Sequence, residues 1–141
     1  MGIDVDLIER VIDIAASPET VFTLLTDPQE YVRWKGRAAQ LEPRAGGRFH
    51  VSFKDAAVRG EYVEVVPNRR VVFTWGWEGI EGLAPGTSRV EVSLAEDRDG
   101  TILRLRHSGL PNESACQLHI YGWGVGLDQL VRVTSYAATC T

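Results

Sequence analysis

The C-terminal stretch Asn112–Ala138 reads as one long helix, and it follows a chain that alternates with period two from residue 48 onward. Within it Cys116, His119, Ile120, Trp123, Leu127, Leu130, Val131 and Thr134 recur at i, i+3, i+4 and i+7, which puts them on one face. That face carries a histidine, a tryptophan and aliphatic carbon, with no charge. A helix with such a stripe has to bury it, and the partner surface here is a sheet. Gly122, Gly124 and Gly126 sit inside the same helix, each costing roughly 1 kcal/mol relative to alanine. Packing rather than intrinsic propensity must therefore hold the helix, with its backbone close to what lies beneath.

The preceding segments supply that sheet. Leu7–Ile14 alternates loosely as a strand. Ser17 as N-cap, Pro18 at the first helical position and Glu19 in the first turn start a helix over Pro18–Leu25, with Val21, Phe22, Leu24 and Leu25 turned inward. Thr26-Asp27-Pro28 ends it and opens a second short helix, Pro28–Trp34. After Gly46-Gly47, the strand Arg48–Lys54 sets Phe49, Val51 and Phe53 against His50, Ser52 and Lys54. Arg59–Val66 is ended by Pro67-Asn68, and Arg69–Trp77 aligns Val71, Phe73, Trp75 and Trp77. Ser88–Ala95 and Thr101–Ser108 follow, joined by the turn Asp97-Arg98-Asp99-Gly100, with Leu103, Leu105 and His107 sharing a face. The predicted fold is α+β: a strongly curved antiparallel sheet of six or seven strands wrapped around a long C-terminal helix, with two short helices after the first strand. One domain over residues 1–141 accommodates it.

Charge and composition narrow the function. A net charge of −4 disfavours a nucleic-acid or anionic-membrane partner, and no apolar run approaches the roughly 20 residues of a membrane span. The acidic start Met1–Asp6 is unlike a signal peptide. Cys116 and Cys140, if both helical, stand about 36 Å apart along the axis, too far to pair within one chain. Two thiols too far apart to bridge each other suit a reducing compartment, so the expected location is cytoplasmic.

The element order carries local motifs: Ser17-Pro18-Glu19-Thr20-Val21-Phe22, Trp34, Gly46-Gly47-Arg48-Phe49, and Gly60-Glu61-Tyr62-Val63-Glu64-Val65-Val66-Pro67. Arg69-Arg70-Val71-Val72-Phe73-Thr74-Trp75, Ser88-Arg89-Val90, Gly100-Thr101, His107-Ser108-Gly109-Leu110 and His119-Ile120-Tyr121-Gly122-Trp123 continue it. In this order and spacing, over roughly residues 7–133, the chain resembles the START-like (SRPBCC, helix-grip) superfamily. Within it, the chain is similar to the branch named after the Hsp90 ATPase activator homologue. The resemblance implies the helix-grip fold. Its members range over hydrophobic-ligand carriers, polyketide cyclases and chaperone co-factors, so it leaves the activity open.

Phe49, Phe53, Phe73, Trp75, Trp77 and Trp123 fall on inward faces, with Trp34 near the sheet entry. A packed core and an aromatic-lined cavity are the two readings. So many tryptophans in a core of this size favour the cavity. His107 and His119 are the polar groups expected to face it, either fixing the packing, orienting a ligand, or acting as a general base. With Leu127, these ten residues form the candidate site for a small hydrophobic, aromatic or polycyclic ligand, without cofactor. Cys116-x-x-His119 has metal-ligand spacing, but two ligands are too few and His50 lies on the opposite strand face from Phe49, so no metal is expected. Glu64 shares parity with Tyr62 and could point inward beside a histidine, although a solvated strand face is the favoured reading. The loop Glu78–Thr87 could gate the cavity, with Ile80 and Leu83 as lid contacts. Two alternatives remain: a cyclase or dehydratase using His107 or His119 as base, and a protein whose partner is a chaperone or a second copy of itself. The expected single domain weakens the chaperone reading, since a full co-chaperone is expected to carry an additional N-terminal domain.

Overall fold

The computed structural model describes residues 7–139, with side chains to residue 135; Met1–Asp6 and Cys140, which carried the compartment argument, lie outside the described residues. The strands are β1 (Ile8–Ile14), β2 (Ala38–Leu41), β3 (Arg48–Ser52), β4 (Ala57–Val66), β5 (Arg70–Trp75), β6 (Ser88–Asp97) and β7 (Gly100–Ser108). Helices α1 (Pro18–Thr26) and α2 (Pro28–Tyr31) link β1 to β2, and α3 (Glu113–Thr139) ends the described chain. The seven strands form one curved, unclosed antiparallel sheet in the order β1-β7-β6-β5-β4-β3-β2. Strands β2 to β7 run as a meander, and β1 pairs with β7 from Ile8↔His107 to Ile14↔Thr101.

The predicted stripe of α3 is the buried one. Cys116, His119, Trp123, Leu127, Leu130 and Thr134 are buried, and Ile120 and Val131 are half-buried. Asn112 caps the helix, its Oδ1 accepting from the Ala115 N–H at 2.9 Å. Three interior glycines cost the helix roughly 3 kcal/mol in total. Burying Leu127 and Leu130 contributes about 1.5–3 kcal/mol each, and Trp123 adds more, so packing outweighs the glycines.

Local chemistry sets the other elements too. Ser17 Oγ accepts from Thr20 N–H at 3.2 Å, and Asp27 Oδ1 accepts from Gln29 and Glu30 N–H at 2.9 and 3.1 Å. The second helix stops at Tyr31 rather than Trp34. The chain continues as a turn in which the Trp34 and Lys35 N–H groups both donate to Tyr31 O at 3.1 Å, and Trp34 Nε1–H donates to Leu24 O at 2.8 Å. Gly36 closes the turn at φ +82, where a Cβ would meet Val51 Cγ1 at 2.6 Å. That turn determines where Lys35 points.

One strand was missed, and one open alternative closes. Strand β2, Ala-Ala-Gln-Leu, was not anticipated, because an edge strand with one buried side chain shows no alternation. Glu64 does not follow Tyr62 inward. The β4–β5 register steps from Tyr62↔Phe73 to Glu64↔Val72, a bulge that flips parity. Glu64 is exposed and pairs with Arg70 Nε at 2.9 Å.

The space between α3 and the sheet is filled at its centre. Phe49 and Phe73 stack with centroids 3.9 Å apart, and the void among Leu25, Tyr31, Trp34, Phe73, Leu105, Trp123 and Leu127 measures about 10 Å³, room for one water at most.

Candidate functional site

The open space lies at one end of the helix–sheet interface. A cleft of about 310 Å³ is lined by Lys35, Phe53, Ala56, Trp75, Trp77, Ile80, Leu118, His119, Tyr121, Gly122 and Trp123. Trp75 ends β5, and Trp77, two residues on, keeps the same face because an isolated bridge to Val58 extends the pairing. Their rings meet edge to face at 5.9 Å. Trp123, on the buried face of α3, lies 5.2 Å from Trp75. A Cβ at Gly122 would touch nothing within 4 Å, so this glycine leaves the helix side of the cleft open.

The tryptophan walls are tied to two histidines. His119 Nε2 accepts from both indoles, Trp75 Nε1–H at 3.2 Å and Trp77 Nε1–H at 3.0 Å. Its Nδ1 lies 2.7 Å from Ala115 O, so that nitrogen carries the proton. His107 is the other tautomer. Trp123 Nε1–H donates to its Nδ1 at 2.9 Å, which leaves the Nε2–H to donate to Ser88 Oγ at 2.8 Å. The Ser88 hydroxyl donates in turn to Trp75 O at 3.2 Å. An indole N–H can only donate, so each ring nitrogen it meets must be an unprotonated acceptor. Burial lowers the pKa of both, His107 to about 3, and both stay neutral imidazoles.

This wiring bears on chemistry. Ser88 and His107 are spaced like a nucleophile and its base, but the tautomer is reversed. In a hydrolytic triad an acid accepts from Nδ1–H and frees Nε2 to take the serine proton. Here Trp123 donates to Nδ1, and Nε2 already holds a proton. His119 likewise has its lone pair shared between two indoles.

Among the described residues Lys35 is the one cation in the cleft lining. Its Nζ lies 4.7 Å from the Trp123 ring centre and 5.5 Å from that of Phe53. Burial lowers its pKa to about 8.

The candidate residues divide between cleft and core. Phe53, Trp75, Trp77, His119 and Trp123 line the cleft. Trp34, Phe49, Phe73, His107 and Leu127 are brought together in the packed interior behind it. Of the two lid residues, Ile80 stands at the rim, whereas Leu83 packs with Ile8, Leu110, Ala115 and Cys116. The loop between them is tied down, with Trp77 N–H donating to Leu83 O at 2.5 Å and Leu83 N–H to Ile80 O at 3.1 Å. Lys35, Ala56, Leu118 and Tyr121 had escaped the sequence reading. Leu118 and Tyr121 lie off the buried stripe of α3, so helical periodicity assigns them to solvent. Lys35 sits in a turn with no period at all. Gly124 faces Arg10 Nη2 at 3.7 Å and Gly126 faces Lys35 and Trp34, so only Gly122 opens on the cleft.

Among the described residues no group of three or more His, Cys, Asp or Glu is placed to hold a metal ion, and no helix is long and apolar enough to cross a membrane. A wider groove of about 780 Å³ runs past Pro18, Val66, Asn68, Arg69, Arg70 and Glu96. Its Arg70 is already paired with Glu64 and Glu91 at 2.9 and 3.2 Å. The smaller cleft is the better site because its walls are aromatic and, among the described residues, no acid lines it.

Similar proteins agree with this architecture. An AHSA1-like protein from Rhizobium etli is 42% identical, over 91% of this chain and 81% of its own, with a TM-score of 0.74. DynU16, from the dynemicin biosynthetic locus, is 25% identical over 90% of this chain and 46% of its own, with a TM-score of 0.76. The Aha1 dimer from Colwellia psychrerythraea, 20% identical over 91% of this chain and 95% of its own, shares the fold with a TM-score of 0.79. No curated protein matches the sequence significantly. The model of the family described as activator of Hsp90 ATPase homolog 1-like protein matches residues 15–135, and the chain belongs to that family.

Proposed function

We propose that the protein binds a small, flat hydrophobic molecule in the cleft between the β5 end of the sheet and the first half of α3. The observation that carries this is the cleft itself: about 310 Å³, walled by Phe53, Trp75, Trp77 and Trp123 and open at the rim. That volume is at the lower end for small-molecule sites, which favours a compact aromatic ligand over a large polycycle. The central core is full, so the ligand sits at the mouth rather than under the whole helix. His107 and His119 act as positioning residues: they hold three indoles by their N–H groups and preset the walls, which reduces the ordering cost of binding. The same bonds argue against either histidine as a general base, and so against the cyclase or dehydratase alternative. The relative from a biosynthetic locus is in keeping with a small-molecule role.

A second reading has its own observation. Leu118, Tyr121 and Val125 are 57%, 73% and 55% exposed and follow one another along α3 at i, i+3 and i+7. Such a stripe suits a protein contact, in line with the chaperone in the family name.

Titration of a panel of aromatic compounds, followed by tryptophan fluorescence and thermal shift, tests the first reading. Binding should raise Tm and quench emission, and Trp77→Ala should abolish both. Failure of every compound to shift Tm would overturn it. The second reading predicts stimulation of a chaperone ATPase, lost in Leu118→Ser/Tyr121→Ser.

A further inference from the structure

We infer that the cleft selects hydrophobic acids, and that Lys35 is the residue that reads the ligand's carboxylate. This rests on the binding proposal above and adds the ligand's chemical class to it.

Lysine carries three N–H donors and no acceptor. Among the described residues, Lys35 makes no hydrogen bond and no ion pair; its contacts are the Trp123 and Phe53 rings. Among the described residues no acid lies within ion-pair distance of this ammonium, while Arg33, Arg59, Arg70 and Arg106 all have carboxylate partners. Cation–π contact returns less than the cost of taking an ammonium out of water. A lysine at a rim ordinarily extends its head to solvent. Lys35 does not, because Trp34 is anchored to Leu24 O and Gly36 turns the chain at φ +82. The side chain is thereby laid under α3, where a Cβ at Gly126 would touch both its Cδ and Nζ at 3.5 Å.

The result is a cleft with aromatic walls, one positive charge at the floor and no carboxylate to neutralise it. An aryl or arylalkyl carboxylate meets both features: its rings lie against Trp75, Trp77 and Trp123, and its anion replaces the missing counter-ion. A desolvated ammonium–carboxylate contact is stronger than one at the surface. The titratable groups that feel the Lys35 charge are His107 from β7 and His119 from α3, and Tyr121 of α3 shares the cleft lining. Burial keeps both histidines neutral at pH 7 and above, so they do not compete for the anion.

Matched acid and amide pairs test this: 2-naphthoate with 2-naphthamide, and indole-3-acetate with indole-3-acetamide, titrated at pH 6.5 and pH 9.5. In the wild type each acid should bind at least tenfold more tightly than its amide at pH 6.5. That preference should shrink by about tenfold or more at pH 9.5, where the free lysine, with its pKa near 8, is mostly uncharged. Lys35→Met, which keeps the length of the stem, should abolish the preference while the amides bind as before. Amides that match their acids in the wild type would overturn the inference and leave hydrophobic binding standing. So would an acid preference that survives Lys35→Met. If neither member of any pair binds, the binding proposal fails and this inference with it.

Discussion

His107 has no exposed surface, and its ring is protonated in the unfolded chain below about pH 6.5 but in the folded chain only near pH 3. Between those values the unfolded state binds the extra proton, so stability must fall as pH drops through the window and level off above it. Urea unfolding at pH 7 and 4.5 should show a drop that is about 2–3 kcal/mol smaller in His107→Gln than in the wild type. Equal drops would mean that the histidine is not held neutral. Trp123→Phe removes the donor to His107 Nδ1 and leaves a buried acceptor unsatisfied, which should cost about 1–3 kcal/mol beyond the lost ring area. Lys35 has the opposite character. Its charge is desolvated without an acid, so Lys35→Met should raise stability at pH 7 by about 1–3 kcal/mol, with the gain shrinking between pH 8 and 10.5 as the wild-type folded lysine deprotonates. A loss of stability at pH 7 would show that its aromatic contacts outweigh desolvation. A packing role for the histidines was among the readings of the chain, but their wiring and the role of Lys35 were not. Inward parity placed His107 and His119 near tryptophans, but which nitrogen accepts depends on donors 16 to 44 residues away.

At the scale of the elements, α3 was legible because 3.6-residue periodicity persists along it, and the meander because alternation does. The failures have local causes. Four residues of β2 bury one side chain, too few to make a pattern, and the bulge after Tyr62 breaks the parity behind the lesser, inward reading of Glu64 and leaves the favoured solvated one. The three glycines, alike in sequence, separate once the sheet is in place. A Cβ at Gly122 meets nothing and at Gly124 only Arg10 Nη2 at 3.7 Å, so alanine at either should stabilise α3 by about 1 kcal/mol. Only Gly122→Ala should weaken ligand binding, because only Gly122 lines the cleft. Equal binding by the two variants in the fluorescence titration would place the ligand elsewhere.

For the whole molecule, the rim of the cleft and the exposed stripe of α3 share Leu118 and Tyr121, so ligand and protein contacts would compete for one surface. Leu118→Ser/Tyr121→Ser should leave the unfolding free energy within about 0.5 kcal/mol per site. A larger loss in chemical denaturation would mean that the stripe is covered in the protein as it exists. The ordered motifs carried the resemblance to the family, and the element order and the buried stripe of the last helix were determined by the sequence, since periodicity states which side of each element faces inward. Periodicity does not say how completely the inward side chains fill the space they share. Whether Phe49 and Phe73 stack into a closed core while Trp75 and Trp77 remain at an open mouth depends on where the curved sheet meets the helix. That meeting is the sum of contacts between residues far apart in sequence. It is also what carries Lys35, from a turn without any pattern, to the floor of an aromatic cleft.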